Sequence, residues 1–331
     1  MAQTAEELAN PLAVLTPDVF DEALDRVRPV VHHTPLLHSA TLSTLTGFDV
    51  WLKAELFQRT GSYKLRGPSN KLPQLSEEQR RNGVICSSAG NHAQGVALAA
   101  AELGIPATVL MARNATPAKI AATRGYGAEV ILYGEFWDEA NAEALRLAEE
   151  RQLTFVHPFD DLQLIAGQGT VGLEILEDLE RVDVVVVPIG GGGLISGIAA
   201  AVKGRRPDVQ VVGVESAGAP AMKLSVEAGE LVTLEQMHCS IDGLKVQRVG
   251  AKTFAVVRRL VDQLIALDDA AIFDAVLWTM ARCKLVVEGA AAAPIAALLA
   301  GAVDATPGDT VVCVLSGGNV DLEQLRGHVL N

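Results

Sequence analysis

The chain has few cysteines and no long apolar run. Its four cysteines, Cys86, Cys239, Cys283 and Cys313, lack the Cys-x-x-Cys spacing of zinc and redox sites, which favours free thiols in a reducing compartment. No apolar stretch approaches the ~20 residues that span a bilayer, and the N-terminus lacks the charged-then-apolar pattern of a signal peptide. We therefore expect a cytoplasmic protein with no membrane partner.

Basic residues are also scarce relative to acidic ones. The 27 Lys and Arg against 40 Asp and Glu give a net charge of −13, and no basic strip offsets it. A strongly acidic chain is a poor partner for nucleic acid, so we expect a small-molecule substrate instead. The 331 residues are 49% hydrophobic. Because single cores stop growing at roughly 250–300 residues, this length predicts two domains.

Several common catalytic motifs are missing. The sequence has no Gly-x-Ser-x-Gly elbow, no His-Glu-x-x-His pair and no Walker loop. The glycine run at 190–193 also lacks the third glycine of a dinucleotide fingerprint, because Ile195 or Ser196 stands at that position. These absences weaken the serine hydrolase and nicotinamide oxidoreductase alternatives.

Strand-like and helical segments alternate along most of the chain, which predicts an α/β fold. The predicted strands lie at 50–52, 84–86, 107–111, 129–133, 154–157, 182–188, 209–214 and 310–315. Thr16 and Pro17 predict the capped start of a helix that runs to about Val30, and the alanine-rich stretch 290–302 predicts a buried helix. We place a small domain at 83–161, inserted into a large one made of 1–82 and 162–331.

Four consecutive glycines, Gly190 to Gly193, separate the apolar strand at 184–189 from a predicted helix. Such a loop offers main-chain N–H groups and the positive end of a helix, which together bind an anion. The alternative is a tight turn without a ligand, but four glycines cost more backbone entropy than a turn requires. Without a pyrophosphate fingerprint, a single phosphate is the favoured ligand.

Three other places carry polar groups that suggest chemistry. Lys64 lies in the segment 58–67, among hydroxyls and glycines that are unusual around a structural lysine. The loop Ser87 to His92 joins a predicted strand to a helix and could bind a carboxylate or simply cap that helix. Ser316 follows the last predicted strand, where α/β folds bind ligands, although helix capping is an equal alternative.

The sequence resembles the threonine dehydratase and serine racemase group of pyridoxal-phosphate enzymes of fold type II. The resemblance runs from about Thr34 to Asp321 and rests on motifs that occur in the family's order: 54–67 around Lys64, Ser88 to Gly95, His157 to Asp161, Gly167 to Thr170, Gly190 to Leu194 and Ser316 to Asn319. It implies two open, twisted, mostly parallel sheets flanked by helices, with a small mobile substrate domain inserted in a large cofactor domain.

The resemblance also implies the roles of individual residues. Lys64 would hold the pyridoxal phosphate as an imine and act as the catalytic base. The other cofactor contacts would be Tyr63 and Asn91 at the ring, Ser316 at the pyridine nitrogen, Gly243, and a phosphate loop made of Gly190, Gly191, Gly192, Gly193 and Leu194. Substrate would contact Ser88, Ala89, Asn91 and His92.

The reaction implied is α,β-elimination from a small β-hydroxy amino acid of the threonine or serine type, which yields a 2-oxo acid and ammonia. Ala89 stands where the racemases carry a serine, so elimination is favoured over racemisation. Lys245, however, is more similar to the racemases. A serine or aspartate-type racemase, a 3-hydroxyaspartate dehydratase, a β-replacement enzyme and a non-catalytic cofactor-binding protein remain the alternatives.

Some relatives in this group bind a divalent cation through a glutamate at the position of Glu215 and two later groups. Magnesium and calcium require oxygen ligands, and here Ala219 and Ala221 follow without a carboxylate. We therefore expect no metal. The resemblance implies a homodimer or homotetramer.

Overall fold

The computed structural model describes residues 10–320, and its strands form two sheets. The six-stranded sheet has the order β1-β2-β10-β7-β8-β9, and all its neighbouring strands are parallel except β1 and β2. The four-stranded sheet has the order β5-β4-β3-β6 and is parallel throughout. The strands are β1 (Leu36–His38), β2 (Asp49–Ala54), β3 (Val84–Ser87), β4 (Ala107–Met111), β5 (Glu129–Leu132), β6 (Thr154–Phe155), β7 (Val184–Pro188), β8 (Gln210–Ser216), β9 (Gln263–Leu267) and β10 (Thr310–Leu315).

Helices connect these strands and pack against the sheets. They are α1 (Pro17–Val27), α2 (Ala40–Thr46), α3 (Arg66–Lys71), α4 (Glu77–Asn82), α5 (Asn91–Glu102), α6 (Pro117–Gly125), α7 (Trp137–Glu150), α8 (Leu162–Asp178), α9 (Gly193–Lys203), α10 (Ala221–Ala228), α11 (Ala251–Leu260), α12 (Asp269–Cys283) and α13 (Gly289–Leu299). No helix within residues 10–320 is both long and apolar enough to cross a membrane.

The centre of the larger sheet is almost entirely apolar. The side chains of β7 and β10 are all buried, as expected for parallel strands covered by helices on both faces. The alanine-rich helix α13 lies against this sheet with Ala291, Ala292 and Ala293 completely buried. Small side chains let the helix approach the strands closely. A buried, apolar sheet centre therefore lies behind whatever occupies its carboxyl edge.

The fold class expected from the sequence is confirmed, while several element boundaries differ. The predicted bounds of β4 and β10 match the structure, whereas α1 ends at Val27 rather than Val30. The side chain of Thr16 makes no capping hydrogen bond, so α1 begins on the preset backbone of Pro17 instead. The short edge strand β1 and the strand β9 were not predicted, because their half-exposed residues carry no clear alternation.

The four strands of the smaller sheet all come from residues 84–155. Between β6 and α8 the chain contains two aspartates, Asp160 and Asp161, whose side chains bind the neighbouring helices. Asp160 accepts hydrogen bonds from three main-chain amides at the start of α11, and Asp161 caps α8 and pairs with Lys71 at 2.6 Å. The domain limits 1–82, 162–331 and 83–161 stay a prediction, and their outer ends at 1 and 331 lie outside the described residues.

Candidate active site

Lys64 lies in a short 3-10 turn, Tyr63–Leu65, that connects the end of β2 to α3. Its Nζ donates to the carbonyl of Pro158 at 2.8 Å and lies 5.3 Å from the centre of the Tyr63 ring. Burial lowers the pKa of Lys64 to about 8, although the nearby carboxylate of Glu288 acts in the opposite direction. A larger fraction of the amine is therefore neutral near pH 7, as a nucleophile or base requires.

Ser316 reaches the same place because β10 runs parallel to β2. The carbonyl of Ser316 accepts from the amide of Tyr63 at 3.0 Å, and Gly317 forms an isolated bridge with Ser62. The two predicted residues Lys64 and Ser316 are thus brought together at the carboxyl edge of the larger sheet. Beside them, the hydroxyl of Ser62 is fully buried and has no hydrogen-bond partner within residues 10–320.

Helix α5 brings the predicted substrate loop to the lysine. A Cβ on Gly95 would lie 2.5 Å from the carbonyl oxygen of Lys64, so only glycine lets this helix approach so closely. In the loop before α5, Ser88 Oγ accepts from the amide of Gly90 at 3.2 Å, and Ala89 is partly buried. Helix α5 thus packs at Gly95 against the main chain of Lys64, and the predicted substrate loop directly precedes this helix.

The ring of His92 is buried on α5. Its Nε2 is 2.9 Å from the carbonyl of Val156 and must donate to it, so the proton is assigned to Nε2. Burial, followed by the charge of Lys64, lowers the pKa of His92 to about 3. The ring is therefore neutral, and its buried Nδ1, which has no partner in the described part of the chain, can only accept a hydrogen bond.

The glycine loop is packed so tightly that side chains could not be added. A Cβ on Gly191 would lie 2.2 Å from the Phe159 ring, and one on Gly190 would lie 2.4 Å from the carbonyl oxygen of Gly243. Gly192 has φ +89°, which disfavours other residues. Behind it, the first amides of α9, beginning at Gly193 and Leu194, have no carbonyl partner within the helix. This loop has the chemistry of a phosphate site.

Glu288 was not among the predicted site residues, yet it contacts them. It precedes α13, and its two carboxylate oxygens accept from Asn91 Nδ2 at 2.9 and 3.0 Å. Asn91 Oδ1 in turn accepts from Asn319 Nδ2 at 2.8 Å, and the same Nδ2 donates to the carbonyl of Thr60 at 2.7 Å. A polar chain thus crosses the site from Thr60 to Glu288.

Burial raises the pKa of Glu288 to about 7, with Asp242 acting in the same direction and Asn91 opposing it. Burial also raises the pKa of the Tyr63 hydroxyl, which stays neutral. In the sequence, a special role of Glu288 is indicated only by its position directly before an apolar helix, where carboxylates are favoured. That position does not reveal the partner, which lies 197 residues earlier in the chain.

Glu215 and Ala219 do not join this cluster. Both oxygens of Glu215 accept main-chain hydrogen bonds, from Met222 at 2.9 Å and from Lys223 at 2.8 Å, at the start of α10. Ala219 is buried and has no side-chain donor atom. Across residues 10–320, no group of three or more His, Cys, Asp or Glu side chains is placed to hold a metal ion.

The residues present fit pyridoxal phosphate. The glycine loop offers a place for one phosphate, Lys64 offers an amine with a lowered pKa, and Ser62 Oγ and His92 Nδ1 are buried polar atoms without partners among residues 10–320. Buried polar atoms are nearly always hydrogen-bonded, so unpaired ones beside a reactive amine indicate a polar ligand. By contrast, the amines of Lys53 and Lys71 are held in ion pairs with Glu174 and Asp161, so they are not available to a ligand.

Comparisons with known proteins agree with this geometry. The family model for "Pyridoxal-phosphate dependent enzyme" matches residues 27–317. A protein named L-threonine ammonia-lyase from Thermotoga maritima is 47% identical over 312 residues, which cover 94% of this chain and 77% of that protein. Among solved structures, threonine deaminase isoform 2 from Solanum lycopersicum has a TM-score of 0.90 at 35% identity and covers 99% of this chain and 94% of its own. Maize serine racemase has a TM-score of 0.90 at 37% identity, with coverages of 95% and 97%.

Proposed function

The chain belongs to the family of pyridoxal-phosphate-dependent enzymes, and on that premise we propose that it deaminates threonine or serine by α,β-elimination. The products would be a 2-oxo acid and ammonia. Relatives 45–47% identical over 94% of the chain are named L-threonine ammonia-lyase or L-threonine dehydratase, which supports a lyase. The observation that carries the proposal is a lysine with a lowered pKa beside Ser316, close to a glycine loop fit for a phosphate.

Several residues would hold the cofactor. Lys64 would hold it covalently, the amides of Gly190 to Leu194 would bind its phosphate, and Gly243 would line the same loop. Tyr63 and Asn91 would contact its ring, with Ser316 at the pyridine nitrogen. When bound, pyridoxal phosphate supplies a ring that withdraws electrons from the substrate's α-carbon. A neutral hydroxyl such as that of Ser316 would leave the ring nitrogen less cationic than an aspartate would, which favours elimination.

The protein's own groups would then handle the proton and the substrate. The amine of Lys64, neutral in part near pH 7, would accept the α-proton, and the carbonyl of Pro158 would orient it. The loop of Ser88, Ala89, Asn91 and His92 would bind the substrate carboxylate. Because the His92 ring is neutral and its Nε2–H is used by Val156, His92 would contribute its main-chain amide rather than its ring.

A second candidate is a racemase, because maize serine racemase is as similar in structure as threonine deaminase isoform 2. Ala89 argues against it, since a methyl group cannot return a proton to the opposite face of the substrate. An aspartate-type racemase, a 3-hydroxyaspartate dehydratase and a non-catalytic binding protein stay alternatives. The homodimer or homotetramer, the cytoplasmic location and the two-domain division at 83–161 also stay predictions.

The test is a panel of amino acids offered to the protein loaded with pyridoxal phosphate. L-threonine, L-serine, D-serine and 3-hydroxyaspartate are each incubated, and 2-oxo acid, ammonia and enantiomer composition are measured. We expect equal amounts of 2-oxo acid and ammonia from L-threonine or L-serine, and none from Lys64→Ala. Racemisation of L-serine faster than its deamination would contradict the proposal, as would the absence of turnover on the whole panel.

A further inference from the structure

Glu288 has an environment that a merely structural helix-capping residue does not need. Its main chain already serves α13, with its amide donating to Gly317 and its carbonyl accepting from Ala291 and Ala292. Its carboxylate instead points to the active site, where a Cβ on Gly317 would lie 2.8 Å from Oε1. The side-chain carboxylate is therefore available to accept hydrogen bonds from Asn91.

The side-chain amide of Asn91 has one orientation that satisfies every neighbour. Thr60 offers a carbonyl, so Asn319 Nδ2 must donate to it and also faces Asn91 as a donor. Glu288 offers only acceptors when ionised, so Asn91 must turn its Nδ2 toward it. If the Asn91 amide were reversed, oxygen would face carboxylate at one end and N–H would face N–H at the other.

We propose that Glu288 is a positioning residue that fixes the Asn91 amide in this orientation, so that Asn91 offers the cofactor ring a hydrogen-bond donor. With Oδ1 occupied by Asn319 and one Nδ2 hydrogen directed between the two oxygens of Glu288, the second Nδ2 hydrogen is what Asn91 has left to offer. An oxygen on the ring would then be held as an acceptor. The inference rests on the proposed function, because it takes Asn91 to contact the cofactor.

This orientation depends on the ionisation of Glu288. A proton on the carboxyl would convert one acceptor oxygen into a donor facing Asn91 Nδ2, which removes the preference at the Glu288 end and leaves Asn319 alone to orient the amide. The charged groups around Glu288 are Lys64 from the 3-10 turn, Lys119 from α6 and Asp242 from the loop before Gly243, and the Tyr63 hydroxyl is neutral. The pKa of Glu288 is raised to about 7, so the network is complete above that pH and loosens as the pH falls through it.

The experiment uses cofactor-free protein first, so that its outcome does not depend on turnover. The side-chain amide of Asn91 is followed by ¹⁵N NMR from pH 5.5 to 9 in the wild type, Glu288→Gln and Asp242→Asn, with the signal assigned by its loss in Asn91→Asp. Asp242→Asn is the matched control, because it also removes one negative charge from this region but leaves the hydrogen bonds between Glu288 and Asn91 in place. The affinity of each protein for pyridoxal phosphate is then measured by fluorescence.

We expect the Asn91 amide signals to titrate near pH 7 in the wild type, to titrate at lower pH in Asp242→Asn because Asp242 helps to raise the pKa of Glu288, and to be independent of pH in Glu288→Gln. Cofactor affinity should fall about tenfold in Glu288→Gln, as for one misdirected hydrogen bond, and by less than about threefold in Asp242→Asn. The exposed Asn319→Asp replaces the donor at the other end and should also weaken cofactor binding, which keeps the test valid if Glu288→Gln fails to fold.

Two results would overturn the proposal. One is an Asn91 amide in Glu288→Gln that titrates as in the wild type, with cofactor affinity within twofold. The other is an equal effect of Asp242→Asn, which would show that charge rather than the hydrogen bond matters. A protein that shows the expected titration but deaminates none of the panel would uphold the role of Glu288 toward Asn91 and contradict the elimination reaction instead.

Discussion

Replacing Arg66 tests how the fold holds the lysine turn in place. Arg66 is completely buried two residues after Lys64 and binds two carboxylates. It donates to Glu55 at 2.7 and 2.8 Å and to Glu174 at 2.7 and 2.8 Å. These bonds connect α3 to the residue after β2 and to α8, behind the active site. Lys53 forms a further pair with Glu174 at 2.8 Å, so the buried charges balance.

The cost of Arg66→Met follows from what it leaves behind. Four charge-assisted hydrogen bonds at ~1.5–3 kcal/mol each represent a gross loss of about 6–12 kcal/mol. Much of this is offset, because burying a guanidinium also costs several kcal/mol. Glu174 keeps Lys53, but Glu55 is left as a buried carboxylate without a cation. We expect a net loss of about 3–5 kcal/mol.

The double variant Arg66→Met with Glu55→Gln separates the two contributions. It removes one positive and one negative charge and leaves the Lys53–Glu174 pair intact. Since the uncompensated carboxylate is gone, the double variant should be more stable than Arg66→Met, by about 1–3 kcal/mol.

Urea unfolding of the cofactor-free protein, followed by circular dichroism, measures both differences. Arg146→Met is the control, because Arg146 also bridges two glutamates, Glu143 and Glu150, but is 58% exposed on α7. It should change the free energy of unfolding far less than Arg66→Met does, because ion pairs of exposed side chains contribute little. A loss below about 1 kcal/mol in Arg66→Met, or a double variant less stable than Arg66→Met, would refute the reasoning.

Three further predictions concern the site and its surroundings. Gly191→Ala places a Cβ 2.2 Å from the Phe159 ring and should weaken pyridoxal phosphate binding at least tenfold in a fluorescence titration. Gly125→Ala is the control, because a Cβ there has no atom within 4 Å and should leave the affinity unchanged. Equal affinities of the two variants would refute the prediction. Ala89→Ser should raise the ratio of racemisation to deamination of L-serine, measured by chiral chromatography, and an unchanged ratio would count against the role of Ala89. Burial raises the pKa of Glu215 from 4.5 to about 7, so the folded state favours the protonated side chain. The contribution of Glu215 to the stability of the fold is therefore full below pH 4.5 and is lost as the pH rises through 7. Measured by urea unfolding, the free energy of unfolding of Glu215→Gln should therefore rise relative to that of the wild type by on the order of 1–3 kcal/mol between pH 4.5 and 7. A difference between the two proteins that stays constant with pH would contradict this prediction.

The parts of the fold that could be predicted are those whose pattern is local. A run of valines in β7 followed by glycines predicts a buried strand, a turn and a helix without knowledge of the rest of the chain. The exposed edge strand β1 has three residues and depends on pairing with β2 for its existence, so no local pattern marks it. Helices 221–228, 251–260 and 269–283 were likewise not predicted from the sequence.

The site divides in the same way. Lys64, Ser316 and the glycine loop lie in short motifs, and parallel strands bring the first two to one sheet edge. The acceptor of Lys64 is a main-chain carbonyl, that of Pro158, and any residue type supplies one. The Glu288–Asn91 contact joins residues 197 apart in the chain. Neither contact has a sequence pattern, because both exist only when the two sheets and α13 are assembled.

The most direct test of the central claim is to locate the cofactor on the chain. Protein loaded with pyridoxal phosphate is reduced with borohydride, which makes the bond to its lysine permanent, and is then digested and sequenced by mass spectrometry. We predict a single pyridoxyl group on Lys64, and none on the paired lysines Lys53 and Lys71. A label on another lysine, or no label at all, would contradict the assignment of this site.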